Sequence, residues 1–240
     1  MIVTKTREEV IAIKQEDHAA FAAFLLERWS DHGFKHDERR EAIIRATSEH
    51  DNGWGEFDAA PRIDNKTRLP VNFKRVTPEE TNEIWMRGSQ RFVKEEPYVA
   101  MLITHHAYAL HESAHKRSGI WNDFFVTLAR QRAFLRDALG LTHNDIEHSY
   151  SFLRMADWFS LKYCSEPKLG ANRPDQYAGY KVMRDDNTFR FRPYPFIDHN
   201  IGYELPVYVL DRNGYKSRED VQKDFQVPEM REIILNPLEL

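Results

Sequence analysis

The residues best suited to chemistry in this chain are a neighbouring histidine and aspartate. His50 and Asp51 lie in the segment EHDNGWGEFD. Imidazole nitrogens and carboxylate oxygens together bind first-row transition metals, and both can also serve in a plain hydrogen-bond network. The chain has 11 histidines but a single cysteine, Cys164. A metal site in this protein would therefore be built from imidazoles and carboxylates.

A second such pair, His36-Asp37, serves as an internal comparison. It lies among charged residues at the start of a predicted helix, where an aspartate caps the helix or complements its dipole. His50-Asp51 differs because helical spacing places the pair on the apolar face, in line with Ile43. A carboxylate that points inward without a partner would cost several kcal/mol.

Three other predicted helices also direct ionisable groups toward their apolar faces. His18, His106 and Asp157 each fall within a stripe of apolar residues, and His105 falls on the neighbouring face of its helix. Buried charges are normally paired or bound to metal. A structural His-Asp network without metal is the alternative. The predicted metal ligands are His18, His50, Asp51, His105, His106 and Asp157.

The elements that must position these residues are mainly helical. Periodicity and capping signals predict helices over residues 17–30, 37–50, 78–96, 97–117, 121–140 and 142–164. A short strand is predicted before the first helix, a long loop over 55–80, and strands over 177–212 followed by a helix over 217–226. We therefore expect a mainly α fold, a helical bundle with a small C-terminal β element that the N-terminal strand could join.

Several segments carry a resemblance to known families. The order of His18, His50-Asp51, a later histidine and a distant aspartate resembles the HD-domain superfamily, which comprises helical, metal-dependent phosphohydrolases. QEDHAAFAAFLLERW, EHDNGWGEFD, LITHHAYAL, ADWFSLKYC and RPYPF also resemble an uncharacterised bacterial family of unknown function, over nearly the whole chain. The resemblance implies one HD-like domain over 1–240, with a metal-binding helical core at 15–165 and a β-rich extension at 175–240.

The ligand set and the resemblance together predict a reaction class. Without thiolates, the site suits Mn, Fe, Co, Ni or Zn, as one or two ions. A metal-bound water would attack a phosphate ester or nucleotide, with His50, Asp51 and His106 as the catalytic residues. The resemblance leaves two alternatives open: a di-iron oxygenase that cleaves C–C or C–P bonds, and a non-catalytic protein that binds metal or ligand.

Other residues could bind metal or substrate, but each also has an ordinary structural explanation. His111 and His115 share a helix face, a spacing that can bind metal, but their polar neighbours favour a solvated helix end. Trp54 could stack on a substrate ring or belong to the core. Cys164 is predicted to be inert core. Basic side chains that could meet an anionic substrate, or simply be solvated, are Lys66, Arg68, Arg154 and Lys162.

Composition limits the partners. The 34 basic and 38 acidic side chains nearly cancel, to a net charge of −4, which argues against a nucleic-acid duplex as partner. No signal-peptide-like start and no apolar run of membrane-spanning length is present. We therefore expect a reduced, cytoplasmic protein with a small phosphorylated substrate and no membrane partner. A homo-oligomer is compatible with the sequence.

Overall fold

The predicted helices form where local signals are strongest. The computed structural model describes residues 1–30, 34–115, 119–171 and 173–239, without the side chains of residues 114 and 115. Its helices are α1 (Gln15–Glu27), α2 (Arg40–Ser48), α3 (Gly55–Ala59), α4 (Pro78–Gln90), α5 (Pro97–His115), α6 (Asn122–Ala138), α7 (His143–Ser165) and α8 (Arg218–Asp224). Short 3₁₀ turns occupy Asn52–Trp54, Phe73–Arg75 and Gly119–Trp121. All seven predicted helices are present, with ends that differ by a few residues, and α3 lies within the predicted loop. Residues 116 and 117 of the helix predicted over 97–117 lie outside the described residues.

Capping fixes where two of these helices begin. Thr77 accepts from the backbone N–H of Glu80, whose side chain returns a bond, and Pro78 occupies the first turn of α4. Thr142 and Asp145 form the same reciprocal arrangement at the start of α7. Such capping boxes satisfy backbone donors that the helix leaves free. They set the start of α7 and hence its register.

The strands form one large sheet, and the mainly α prediction was wrong. They are β1 (Ile2–Lys5), β2 (Val10–Ile13), β3 (Asp175–Tyr177), β4 (Tyr180–Asp185), β5 (Thr188–Arg192), β6 (Ile201–Leu210) and β7 (Glu229–Pro237). Their order is β1-β2-β6-β7-β5-β4-β3, a curled half-barrel in a chain that is 49% helical and 20% strand. Only β5 and β7 pair in parallel; the other neighbours are antiparallel.

The sheet is larger than predicted because its pairings join distant parts of the chain. Val10 in β2 pairs with Leu210 in β6, so the N-terminal strands extend the C-terminal ones. The sequence offered no local sign of β1, and β7 contains the consecutive apolar residues Ile233, Ile234 and Leu235 rather than an alternating pattern. A run of that kind does not mark a strand by periodicity alone.

Aromatic side chains join the sheet to the helices that carry the candidate ligands. Phe21 of α1 stacks on Tyr203 of β6 at 5.0 Å between ring centroids. Phe159 of α7 packs against Phe191 of β5 at 5.3 Å. Such contacts are favourable beyond the area they bury. The sheet therefore holds α1 and α7 in a fixed relation.

Arg40 fixes the start of α2 against the end of α1. Its buried guanidinium donates to the backbone carbonyls of Leu26 and Trp29, at 3.1 and 2.7 Å, and to that of Phe34. Carbonyls at a helix end lack intrahelical partners, so the arginine satisfies them and ties the two helices together. None of the helices in the described part of the chain combines the length and apolar character needed to cross a membrane.

Candidate metal centre

Three segments distant in sequence bring ionisable side chains to one buried point. His18 comes from α1, His50 and Asp51 from the turn that follows α2, and Asp157 from the middle of α7. One ligand atom each of His18, His50 and Asp157 lies within 4.8 Å of the other two. All four side chains are buried. Among the described residues, His18, His50 and Asp157 are the only group of three or more potential metal ligands this close together.

The hydrogen bonds of His18 define which ring nitrogen faces the cluster. The hydroxyl of Ser160 donates to the carbonyl oxygen of Asp157, so its oxygen accepts from His18 Nδ1–H at 3.0 Å. His18 Nε2 then faces Asp51 Oδ2 at 2.7 Å. A nitrogen lone pair and a carboxylate at that distance repel each other unless a proton or a metal ion lies between them.

His50 is arranged in the same way. Its Nδ1–H donates to the carbonyl of Thr47 at 2.7 Å, which leaves Nε2 for the cluster. His50 Nε2 lies 3.3 Å from Asp157 Oδ1 and 3.6 Å from Asp51 Oδ2, but it completes a hydrogen bond to neither within the described structure. Metal-binding histidines usually donate their second nitrogen to a carbonyl or similar acceptor, as both of these do.

His106 joins the cluster, whereas His105 does not. His106 Nε2 lies 3.8 Å from Asp157 Oδ2, and its ring meets that of His50 edge-on at 5.1 Å. His105 lies about a quarter turn away on α5, where its Nδ1 accepts from Arg132 at 2.9 Å and its Nε2 lies 3.0 Å from Glu147. The structure therefore places His105 apart from the other predicted ligands, beside Arg132 and Glu147.

The electrostatics of the cluster favour a cation. Burial disfavours a charged His50, yet the carboxylates of Asp51 and Asp157 raise its pKa to about 9. Burial likewise opposes ionisation of both aspartates, but the charge of His50 and its histidine neighbours hold their pKa values below the usual range. Burial lowers the pKa of His106 to about 4, so that ring is neutral.

Helix α4 holds the turn that carries His50 and Asp51. Arg87 donates to the carbonyl of Gly53 at 2.5 Å, and Arg91 donates to that of Asn52 at 2.7 Å. The side-chain amide of Asn52 donates to the carbonyl of Gly88 at 3.2 Å. The two glycines allow the turn and the helix to approach closely. The His-Asp pair follows the last turn of α2 rather than lying within it, but still faces inward.

A cavity of about 360 Å³ opens beside the cluster. His18, Asp51, His106 and Asp157 form part of its lining, and most of the remainder is aromatic or aliphatic. His111 also lines it, half-buried and stacked on Trp121 at 5.1 Å, so the prediction of a solvated helix end was wrong for this residue. The side chain of His115 lies outside the described residues.

Sequence reasoning missed several residues of the site. Gln15 and Lys74 line the cavity, and neither belonged to a recognisable motif. Ser160 was detectable in principle, since it follows Asp157 by one helical turn. The basic residues proposed from sequence, among them Lys66 and Lys162, are not part of the lining.

The remaining sequence-based candidates have structural roles or lie elsewhere. Asp37 Oδ1 accepts from the backbone N–H of Arg39 at 2.9 Å, which is a helix-entry role. Cys164 is buried, and burial raises the pKa of its thiol to about 12. A larger groove of about 1110 Å³ runs along β2 and β7, but its described lining contains no histidine or cysteine.

The residues present suit a transition metal. The cluster offers imidazole nitrogens from His18 and His50 and carboxylate oxygens from Asp51 and Asp157, without a thiolate. His50 Nε2 lies between the carboxylates of Asp157 and Asp51, at 3.3 and 3.6 Å, without completing a hydrogen bond to either in the described structure. Mixed nitrogen and oxygen donors fit Mn, Fe, Co, Ni or Zn better than an all-oxygen cation site.

Comparison with known proteins gives a family but no function. The family model described as "Protein of unknown function (DUF3891)" matches residues 1–212. No curated protein and no solved structure matches the chain significantly.

Proposed function

We propose that this chain, which belongs to the DUF3891 family, is a metal-dependent hydrolase of phosphate esters. The observation that carries the proposal is the buried cluster beside a cavity, in which one ligand atom each of His18, His50 and Asp157 lies within 4.8 Å of the other two. His18, His50, Asp51 and Asp157 would hold one divalent transition metal. The HD-like order of these residues supports the same reaction class.

The reaction is the transfer of a phosphoryl group to water. The water oxygen forms a new bond to phosphorus, the ester P–O bond breaks, and the leaving oxygen takes up a proton to give an alcohol and inorganic phosphate. A bound metal ion supplies a water of lowered pKa and polarises a phosphoryl oxygen.

The protein's own residues position these groups. Ser160 and the Thr47 carbonyl hold the rings of His18 and His50 through their Nδ1–H bonds. His106, neutral and part of the cavity lining, would offer its Nε2 to water or substrate. Tyr150 Oη lies 3.3 Å from His106 Nδ1 and fixes that ring.

Metal content is the decisive test. The untagged chain, purified without chelator, should contain about one equivalent of a transition metal if four side chains from one site bind it. Asp157→Asn should lose the metal, because it removes one carboxylate charge. The matched control is Asp137→Asn, an exposed aspartate of α6 whose side chain pairs with its neighbour Arg136. Failure of the native chain to bind Mn²⁺, Fe²⁺ or Zn²⁺ after reconstitution would overturn the proposal.

Activity then separates hydrolysis from its rivals. The metal-loaded chain should release inorganic phosphate from phenyl phosphate, and Asp157→Asn should not. Iron content with oxygen consumption and no phosphate release would instead identify an oxygenase. Tight metal binding without either reaction would identify a non-catalytic binding protein.

A further inference from the structure

The cavity beside the metal cluster has walls that do not bind metal and whose chemistry points to a ligand. Trp54, Phe73, Trp85 and Trp121 supply aromatic surface, and Leu110 and Leu161 add aliphatic surface. A volume of about 360 Å³ lies within the range of small-ligand pockets. These aromatic walls suit a small, flat ring.

Two residues of this lining each carry a buried polar side-chain atom that makes no hydrogen bond within the described structure. Trp54 is 4% exposed and Gln15 is 3% exposed, yet Trp54 Nε1 and Gln15 Oε1 make no hydrogen bond. Buried donors and acceptors are normally satisfied, and a bound ligand is one way to satisfy them. The indole N–H of Trp54 can donate only, so it fits an oxygen that carries negative charge.

Charge limits how many phosphates the cavity can accept. Lys74, an exposed residue whose ammonium lies over the ring of Phe73, is the only lysine or arginine in the described lining. With a divalent metal bound by neutral histidines, the two carboxylates of the cluster and Lys74 would leave one net positive charge. A phosphate monoester carries about −1.5 to −2 at neutral pH. A triphosphate would bring further negative charge with no further cation to meet it.

His111 adds an acceptor. Its Nδ1–H donates to the carbonyl of Ala107 at 2.9 Å, so Nε2 carries the lone pair. Trp85 and Trp121 pack against this ring at 5.5 and 5.1 Å and keep it in place. The lining therefore combines two donors for an anion, Trp54 and Lys74, with acceptors at Gln15 and His111.

We infer that the cavity binds a phosphate monoester of a small aromatic group that carries a hydrogen-bond donor for Gln15 or His111, with Trp54 and Lys74 as the residues that select its phosphate. The inference rests on the proposed function, because the metal ion held by the cluster would bind the phosphate group. The aromatic walls would then contact the leaving group.

Phenylphosphonate, which resembles phenyl phosphate but is not hydrolysed, tests the pocket by calorimetry on the metal-loaded chain. We expect it to bind more tightly than methylphosphonate, which lacks the ring. Trp54→Phe keeps a ring but removes the N–H, and Lys74→Gln removes the charge. Each should weaken phenylphosphonate binding about tenfold, the loss of one hydrogen bond to a charged group, without changing metal affinity.

Two matched controls use residues outside the cavity. Trp158→Phe alters a half-buried tryptophan of α7 that stacks on Tyr177, and Lys66→Gln alters an exposed lysine. Both should bind phenylphosphonate as the native chain does. In initial-rate assays of the native chain, kcat/KM should be higher for phenyl phosphate than for ATP.

The outcomes distinguish this inference from the proposed function. If the native chain binds no metal, both fail. If it binds metal but binds phenylphosphonate no better than methylphosphonate, the inference about the pocket alone is overturned. Unchanged binding in both Trp54→Phe and Lys74→Gln, or a preference for ATP, would overturn it equally.

Discussion

Each ligand histidine in the cluster is oriented by an acceptor that lies outside the cluster. For His18 that acceptor is Ser160 Oγ, whose own hydrogen goes to the Asp157 carbonyl. One serine thus connects two predicted ligands on different helices. Its removal would free the His18 ring to rotate and leave a buried N–H without a partner.

Ser160→Ala should therefore weaken metal binding while the ligands stay in place. Loss of such an outer partner typically lowers metal affinity 10–100-fold, measurable by competition with a chromophoric chelator. Ser151→Ala is the control, because Ser151 is exposed on the same helix and makes the same bond to the carbonyl three residues before it. Equal affinity in the two variants would show that Ser160 does not orient His18.

The sequence indicated the candidate ligand residues, but it did not indicate the side chains that form hydrogen bonds or ion pairs with them. The four candidates His18, His50, Asp51 and Asp157 were grouped because each falls on the apolar face of its predicted helix. The position of a buried ionisable residue can be predicted in this way, since apolar residues on one helix face recur with the helical period. The helical periodicity could not show which of the adjacent residues His105 and His106 faces the cluster. His105 faces away from the cluster because its two ring nitrogens contact Arg132 and Glu147, which belong to other helices.

At the scale of elements, the contact between α4 and the turn after α2 positions the His-Asp pair. A Cβ added at Gly53 would lie 2.1 Å from the carbonyl oxygen of Ile84 and 3.2 Å from the backbone nitrogen of Gly88. Backbone atoms of a helix cannot move aside as a flexible side chain can. The turn would have to shift instead, and His50 and Asp51 would shift with it.

Gly53→Ala should destabilise the protein by about 1–3 kcal/mol, the usual cost of overpacking, and should also reduce metal affinity. The control is Gly55→Ala, two residues later, where the nearest atom to an added Cβ is Glu16 Oε2 at 3.9 Å and the backbone is helical. That change should be neutral or slightly stabilising. Urea unfolding and metal titration of both variants provide the measurement, and equal stability would contradict the role given to Gly53.

An ion pair joins Glu9, the residue just before β2, to a strand two positions away from β2 in the sheet. Arg231 of β7 donates to both carboxylate oxygens of Glu9, at 2.7 Å each, across β6. The bonds from Arg231 hold the pKa of Glu9 below its usual range, although burial opposes this. A carboxyl with a lowered pKa in the folded state stabilises that state above its ordinary pKa, and the contribution is lost as pH falls through the lowered value.

Glu9→Gln should accordingly cost about 1 kcal/mol at neutral pH, since both side chains are partly exposed. The difference from the native chain should shrink as the pH falls below the ordinary pKa of a glutamate. Urea unfolding at a series of pH values measures it. Glu8→Gln, at an exposed neighbour, should show little difference at any pH. A constant difference for Glu9→Gln would mean that the ion pair contributes nothing.

The secondary-structure elements differ in how far the local sequence predicts them. Helices α4 and α7 carry their own start signals, so local sequence sufficed. Strand β1 is four residues long and β7 lacks alternation, and both are defined by neighbours rather than by local pattern. The pairing of Val10 with Leu210 cannot be read from either segment alone. The predicted helices are present, but the predicted fold, a mainly α bundle with a small β element, was wrong.

At the scale of the whole molecule, the candidate centre joins segments that the rest of the fold also joins. His18, the His50-Asp51 turn and Asp157 are far apart in sequence, and α1 and α7 rest on the sheet through Phe21 and Phe159. Unfolding of any one segment would remove a ligand. Metal binding should therefore stabilise the whole chain as a unit.

This coupling has a measurable consequence. An ion present at 100 times its Kd adds about 2.7 kcal/mol to the free energy of unfolding, which for a chain of this size raises Tm by about 5–10 °C. Far-ultraviolet circular dichroism and tryptophan fluorescence should shift together when metal is added to chelator-treated protein. Asp157→Asn should show no shift, and Asp137→Asn should shift as the native chain does. A shift in fluorescence without one in circular dichroism would mean that the ion stabilises its surroundings only, and that helices and sheet unfold independently.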